Sequence, residues 1–182
     1  MRSMPAPSSI AVLLLACAMA GPAFCQKEQG AESDSAQARE LKACGPKGKK
    51  VNYVASTDKN THPTGEPAAD KALVYVLRSR YTGIASSGMN GVPTELAVEG
   101  EWKGVNDGGG YFFFMLDPGV HYFCSESKNR SVLVLTVEAG KTYYLEPIVH
   151  GGGRKLNYLT VLGDEEGKTA LAKVYPSTWR VR

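Results

Sequence analysis

Residues Tyr111 to Glu146 read YFFFMLDPGVHYFCSESKNRSVLVLTVEAGKTYYLE. Dense runs of Val, Leu, Tyr and Phe are broken at Asp117-Pro118-Gly119, at Ser125 to Arg130 and at Ala139-Gly140. Short β-branched and aromatic runs bounded by turn residues mark consecutive antiparallel strands. The expected strands are Tyr111 to Leu116, Val120 to Cys124, Ser131 to Val137 and Lys141 to Glu146. Pro118 fixes φ and Gly119 accepts a positive one, which makes a tight reversal between the first two. In the third, Val132, Val134 and Thr136 share one face and Leu133, Leu135 and Val137 the other, so both faces are expected to be covered.

Upstream, the apolar run in Ala72 to Arg78 predicts a central strand. Thr94 to Val98 is expected to pair with Trp102 to Val105 across Glu99-Gly100-Glu101, and Asn106 to Gly110 supplies a second turn. Arg80 to Pro93, with three glycines and an asparagine, reads as a long connection. Downstream, order is expected to relax past Pro147. Lys155 to Leu162 gives a last strand, then Asp164 to Val174 a short helix capped by Asp164 and weakened by Gly167. Tyr175 to Arg182 reads as a basic tail in which Trp179 folds back. Short strands at this spacing predict an all-β domain, a small antiparallel sandwich or barrel over 71–182 with a short C-terminal helix.

The 182-residue chain has a formal net charge of +3, too little and too dispersed for a nucleic-acid surface. Met1 to Cys25 has the form of a signal peptide: Arg2, an apolar run from Ile10 to Ala20, then Gly21-Pro22 before a small-residue site. The run is shorter than the ~20 residues a spanning helix needs. Cleavage after Ala20 or after Cys25 fits a soluble periplasmic or secreted protein. Leu14-Leu15-Ala16-Cys17 instead resembles a lipobox, with Cys17 lipidated in an outer-membrane lipoprotein. Residues 26–43 are polar and read as a flexible tether. A helix over Ser35 to Lys42 is compatible with Ala36, Ala38 and Leu41 but lacks an apolar stripe. Residues 44–70 form an N-terminal extension in which Val51 to Val54 adds an edge strand. In an oxidising compartment Cys44 and Cys124 are expected to pair, closing a loop worth about 4–5 kcal/mol.

Three segments carry a resemblance: Lys71 to Arg78 (KALVYVLR), Asp117-Pro118-Gly119-Val120-His121, and Ala139 to Tyr144 (AGKTYY). In this order they resemble the DUF2846 family of bacterial envelope proteins, over roughly Lys71 to Val149. The resemblance implies a prealbumin-like β-sandwich of about seven strands in the cell envelope. It implies no catalytic residue. The longer Glu101 to Gly110 segment departs from the family pattern.

Catalytic signatures are sparse. His62 and His150 sit in loop composition, and His121 is the best histidine for a triad, yet no Gly-x-Ser-x-Gly elbow accompanies it. His121 and Cys124 fall on opposite strand faces, which argues against a shared metal. Gly163 to Thr169 (GDEEGKT) is one residue short of a P-loop and carries two glutamates where phosphate would lie. No cofactor is expected. Trp102, Tyr111 and Phe113 are the candidates for an aromatic binding surface toward carbohydrate, peptide or protein. The sequence therefore points to a non-enzymatic envelope module with another envelope protein as partner, and no membrane contact beyond a lipid at Cys17. The alternative is a secreted hydrolase or carbohydrate-active or carbohydrate-binding protein using carboxylates such as Asp107 and Glu126.

Overall fold

The computed structural model describes residues 35–46, 53–80, 92–150 and 156–181. The expectations for Met1 to Cys25, Cys17 included, and for most of Arg80 to Pro93 lie outside these residues. The described chain runs α1 (35–44), β1 (Tyr53–Thr57), β2 (Ala72–Leu77), β3 (Thr94–Val98), β4 (Glu101–Asn106) and β5 (Gly110–Leu116). It continues through β6 (Gly119–Glu126), β7 (Arg130–Val137), β8 (Thr142–His150), β9 (Leu156–Leu162), α2 (Asp164–Leu171) and β10 (Tyr175–Val181). Six strands form one sheet in the order β1-β10-β5-β2-β8-β9, and four form a second, β4-β3-β6-β7.

The two sheets pack as a sandwich around Val74, Val76, Leu96, Val98, Phe112, Phe123, Val137 and Leu145. A second cluster of Leu73, Tyr75, Leu77, Tyr111, Tyr144, Leu171 and Val174 lies on the other face of the six-stranded sheet. Strand β2 is buried at every position, because its even residues face the sandwich and its odd ones face this outer cluster. A strand covered twice reads as an unbroken apolar run.

Several expectations change. The large sheet is mixed: β2 runs parallel to β8, and β10 parallel to β5. The partners are distant in sequence, so no hairpin turn announces them. Strand β8 does not stop before Pro147. The β2 ladder ends at Leu145, so among the described residues only β9 pairs with the strand at Pro147, and a residue without an amide proton is tolerated there. Strand β7 is an edge strand with Val134 44% exposed, so only its Leu133, Leu135 and Val137 side is core. The expected basic tail is β10, placed between β1 and β5, and Trp179 packs on the sandwich core. The helix is therefore not C-terminal. Asp164 does not cap it; Gly163 holds the N-cap position and Asp164 pairs with Lys168 at 2.6 Å.

The described N-terminal residues, 35–46 and 53–57, join this body, and 26–34 and 47–52 lie outside the described residues. Strand β1 pairs with β10 along its whole length. Helix α1 sits on the small sheet through few contacts: buried Ala43, the Lys42 ammonium 3.9 Å from the Tyr122 ring centre, and Glu40 3.7 Å from Arg130. The disulfide between Cys44 and Cys124 on β6 completes the attachment. A covalent tie thus does what an apolar stripe would otherwise do.

One seam between the sheets is closed by side chains. Asn157 on β9 is buried, with its amide nitrogen donating to the Ser125 carbonyl and its oxygen accepting from Ser125 Oγ. Asn129 accepts from the Asn157 main-chain amide, and Ser131 Oγ from that of Leu159. The outer edge of β9 is thereby occupied at Asn157 and Leu159, which blunts it as a template for aggregation.

Candidate functional site

At one end of the sandwich the sheets part to leave a cleft of about 450 Å³. The large sheet contributes Lys71, just ahead of β2, and Met115, Leu116 and Asp117 at the end of β5. The small sheet contributes Val98, Glu99, Glu101, Lys103 and His121.

Two local irregularities aim side chains here. The β3–β4 hairpin turns through Glu99 and Gly100, with φ of 54° and 78°. Positive φ at both central residues is the type I′ requirement, normally met by Asn or Gly. Glu99 is the only non-glycine among the described residues in that region. A glutamate there costs of order 1 kcal/mol of backbone strain. What it supplies is a carboxylate oxygen 3.3 Å from His121 Nδ1. Next to it, Leu96 opposes Gly104 and Ala97 opposes Trp102, so Lys103 is the extra residue of a β-bulge. Bulges recur beside functional sites because they redirect a side chain.

The charges form three pairs. Lys71 Nζ lies 2.5 Å from Asp117, and Lys103 Nζ 2.8 Å from Glu101. The hydrogen bond and charge of Lys71 hold the Asp117 carboxyl below its usual range, and Asp117 raises Lys71 in turn. In both pairs the lysine is the more buried partner: 36% against 76% exposed for Lys71 and Asp117, 23% against 75% for Lys103 and Glu101. His121 Nε2 lies 2.8 Å from the Asp117 carbonyl. A carbonyl only accepts, so Nε2 carries the proton. Nδ1 is buried toward Glu99 without a hydrogen bond, although the 3.3 Å separation counts as an ion pair when the ring is charged. Both ring nitrogens therefore face protein atoms, and neither is presented to a molecule in the cleft. No group of three or more metal-binding side chains occurs among the described residues.

The other sequence candidates lie apart. Trp102 is half-buried, near Tyr53 and edge-on to Trp179. Tyr111 is fully buried, its hydroxyl donating to the Pro63 carbonyl at 2.7 Å, and burial pushes its ionisation up to about 12. Phe113 packs on Tyr75, and Gly65 of the 58–70 crossover lies against its ring. The expected binding surface of Trp102, Tyr111 and Phe113 is thus not one exposed patch, because the crossover between β1 and β2 covers Tyr111 and Phe113. Cys44 and Cys124 are bonded to each other. Asp107 is half-buried, raised by desolvation against the pull of Arg78, whereas Glu126 pairs with Arg130 at 3.0 Å. His62 Nε2 donates to the Leu171 carbonyl and His150 meets the Tyr158 hydroxyl.

Sequence reasoning reached His121 but missed Lys71, Lys103 and Asp117 as its neighbours. The signals available were a glutamate where a type I′ turn wants Asn or Gly, and the added length of Glu101 to Gly110. No protein-family model matches the chain, and no curated protein or solved structure matches it either.

Proposed function

We propose that this chain is an exported envelope module that works by recognition, with the cleft beside His121 as its contact site. The observation that carries the reading is the state of His121: its nitrogens are turned onto Asp117 and Glu99, so the cleft offers charge and shape without a base aimed at a substrate. The Cys44–Cys124 bond supports an oxidising compartment, in line with the signal-like Met1 to Cys25. The DUF2846 resemblance and its prealbumin-like sandwich support the same setting, whether the mature form is soluble or lipidated at Cys17.

The test is position-specific photocrosslinking in envelope extracts. A crosslinker replacing the exposed Met115 should trap a defined partner that the same group at Thr169, on α2, does not. Equal trapping at both positions would overturn the assignment of the cleft. Turnover of ester or glycoside substrates that disappears in His121→Ala would overturn the non-enzymatic reading.

A further inference from the structure

We infer that the cleft takes a carboxylate carried on an apolar group, held by Lys71 and Lys103. This rests on reading the cleft as the recognition site. Each lysine already has an acidic partner, so the sign of the ligand is decided by which partner gives way. Asp117 and Glu101 are each about three-quarters exposed, whereas Lys71 and Lys103 sit deeper. An exposed carboxylate that swings into water loses little, because surface ion pairs are weak. A lysine displaced by a ligand cation would have to leave the wall of the cleft. An incoming anion is therefore accepted by substitution: it takes the place of Asp117 or Glu101, and the displaced side chain hydrates.

The apolar requirement comes from the lining. Val98 and Leu116 are nearly inaccessible and form the floor, whereas Met115 is 41% exposed and stands at the mouth. Methionine adapts its shape to an apolar surface laid on it. The volume lies within the range of sites for small molecules or chain ends. Two sources share this chemistry: the C-terminus of a peptide ending in an apolar residue, and a short alkyl carboxylate.

The test uses the full folded domain, isotope-labelled, titrated with four probes while amide shifts are followed. The probes are hexanoate, hexylamine, and a tripeptide ending in leucine as free acid and as amide. Saturable shifts at Lys71, Lys103, Met115 and His121 are expected with hexanoate or the free acid, and not with hexylamine or the amide. Response to the peptide acid alone identifies a chain terminus; response to hexanoate alone identifies an alkyl acid. Lys71→Ala should weaken binding roughly two- to fivefold, the worth of one partly exposed ion pair. Asp117→Asn should tighten it, since the competing carboxylate is gone; a merely structural Lys71–Asp117 pair predicts no gain. Binding of hexylamine or the amide in the cleft would overturn the carboxylate while keeping the site. Absence of any saturable shift there would overturn both.

Discussion

Replacing Gly167 by alanine should destabilise the protein, although glycine inside a helix normally favours the opposite result. Gly167 is on the buried side of α2 with Leu171. A Cβ built on it would lie 2.2 Å from Tyr144 Cγ and 2.6 Å from Tyr144 Cβ. Tyr144 Cβ cannot swing away, because β8 is held between β2 and β9 at that residue. The helix must then lift by about 1 Å or more to regain ordinary carbon contact at ~3.5 Å. Such overpacking costs about 1–3 kcal/mol. The gain in helix propensity returns about 1 kcal/mol. Lifting also loosens Leu171, which packs in the same cluster, so the net expectation is a loss of about 1–2 kcal/mol. For a domain of this size that lowers Tm by roughly 2–8 °C. Urea denaturation of Gly167→Ala beside Thr169→Ala, which alters the exposed face of the same helix, measures it. The Thr169 variant should be neutral or slightly more stable. If Gly167→Ala proves as stable as the parent, α2 does not seat on Tyr144 as described.

Three further outcomes are expected. Cys44→Ser with Cys124→Ser opens a loop with a sequence separation of 80 and should lower stability by up to about 4.5 kcal/mol in the chain-entropy model, read as a fall in the urea midpoint. Asn157→Ala leaves the Ser125 carbonyl and hydroxyl without their seam partner and should cost about 1–3 kcal/mol by the same assay. Asp107→Asn should stabilise at neutral pH. Desolvation raises the folded carboxyl above its ordinary 3.8, so folding favours its protonated form. That contribution is present below 3.8 and lost as pH rises through the folded value, so the gain from asparagine should fade on acidification, visible in denaturation curves from pH 7 to 3.

Strand positions were legible where the chain alternates dense apolar runs with Gly and Pro turns, as from Tyr111 to Leu145. Legibility failed where pairing is non-local. Nothing in Tyr175 to Val181 announces β10, because Pro176 and Arg180 mask a strand whose partners β1 and β5 lie far upstream. The seating of α2 on Tyr144 through Gly167 and Leu171 was invisible because Gly167 reads as a defect until the ring beneath it is known. The cleft is assembled from the approach to β2, the end of β5, the β3–β4 turn, β4 and β6. Those five pieces are brought together by sheet packing, which no local spacing encodes, so of the cleft residues only His121 stood out in advance.

The bond from Cys44 to the middle of β6 also sets how the domain would carry load. A pull on the chain ahead of Cys44 passes through two sulfur atoms directly into β6, which is clamped between β3 and β7. Strands β1 to β5 lie inside the closed loop and feel none of that tension along their length. The hydrogen-bonded pair β1–β10, the thin margin of the large sheet, receives no part of that pull through β1. A body tugged from its N-terminal side would therefore keep its cleft intact until β6 itself is drawn out or the sulfur link is reduced.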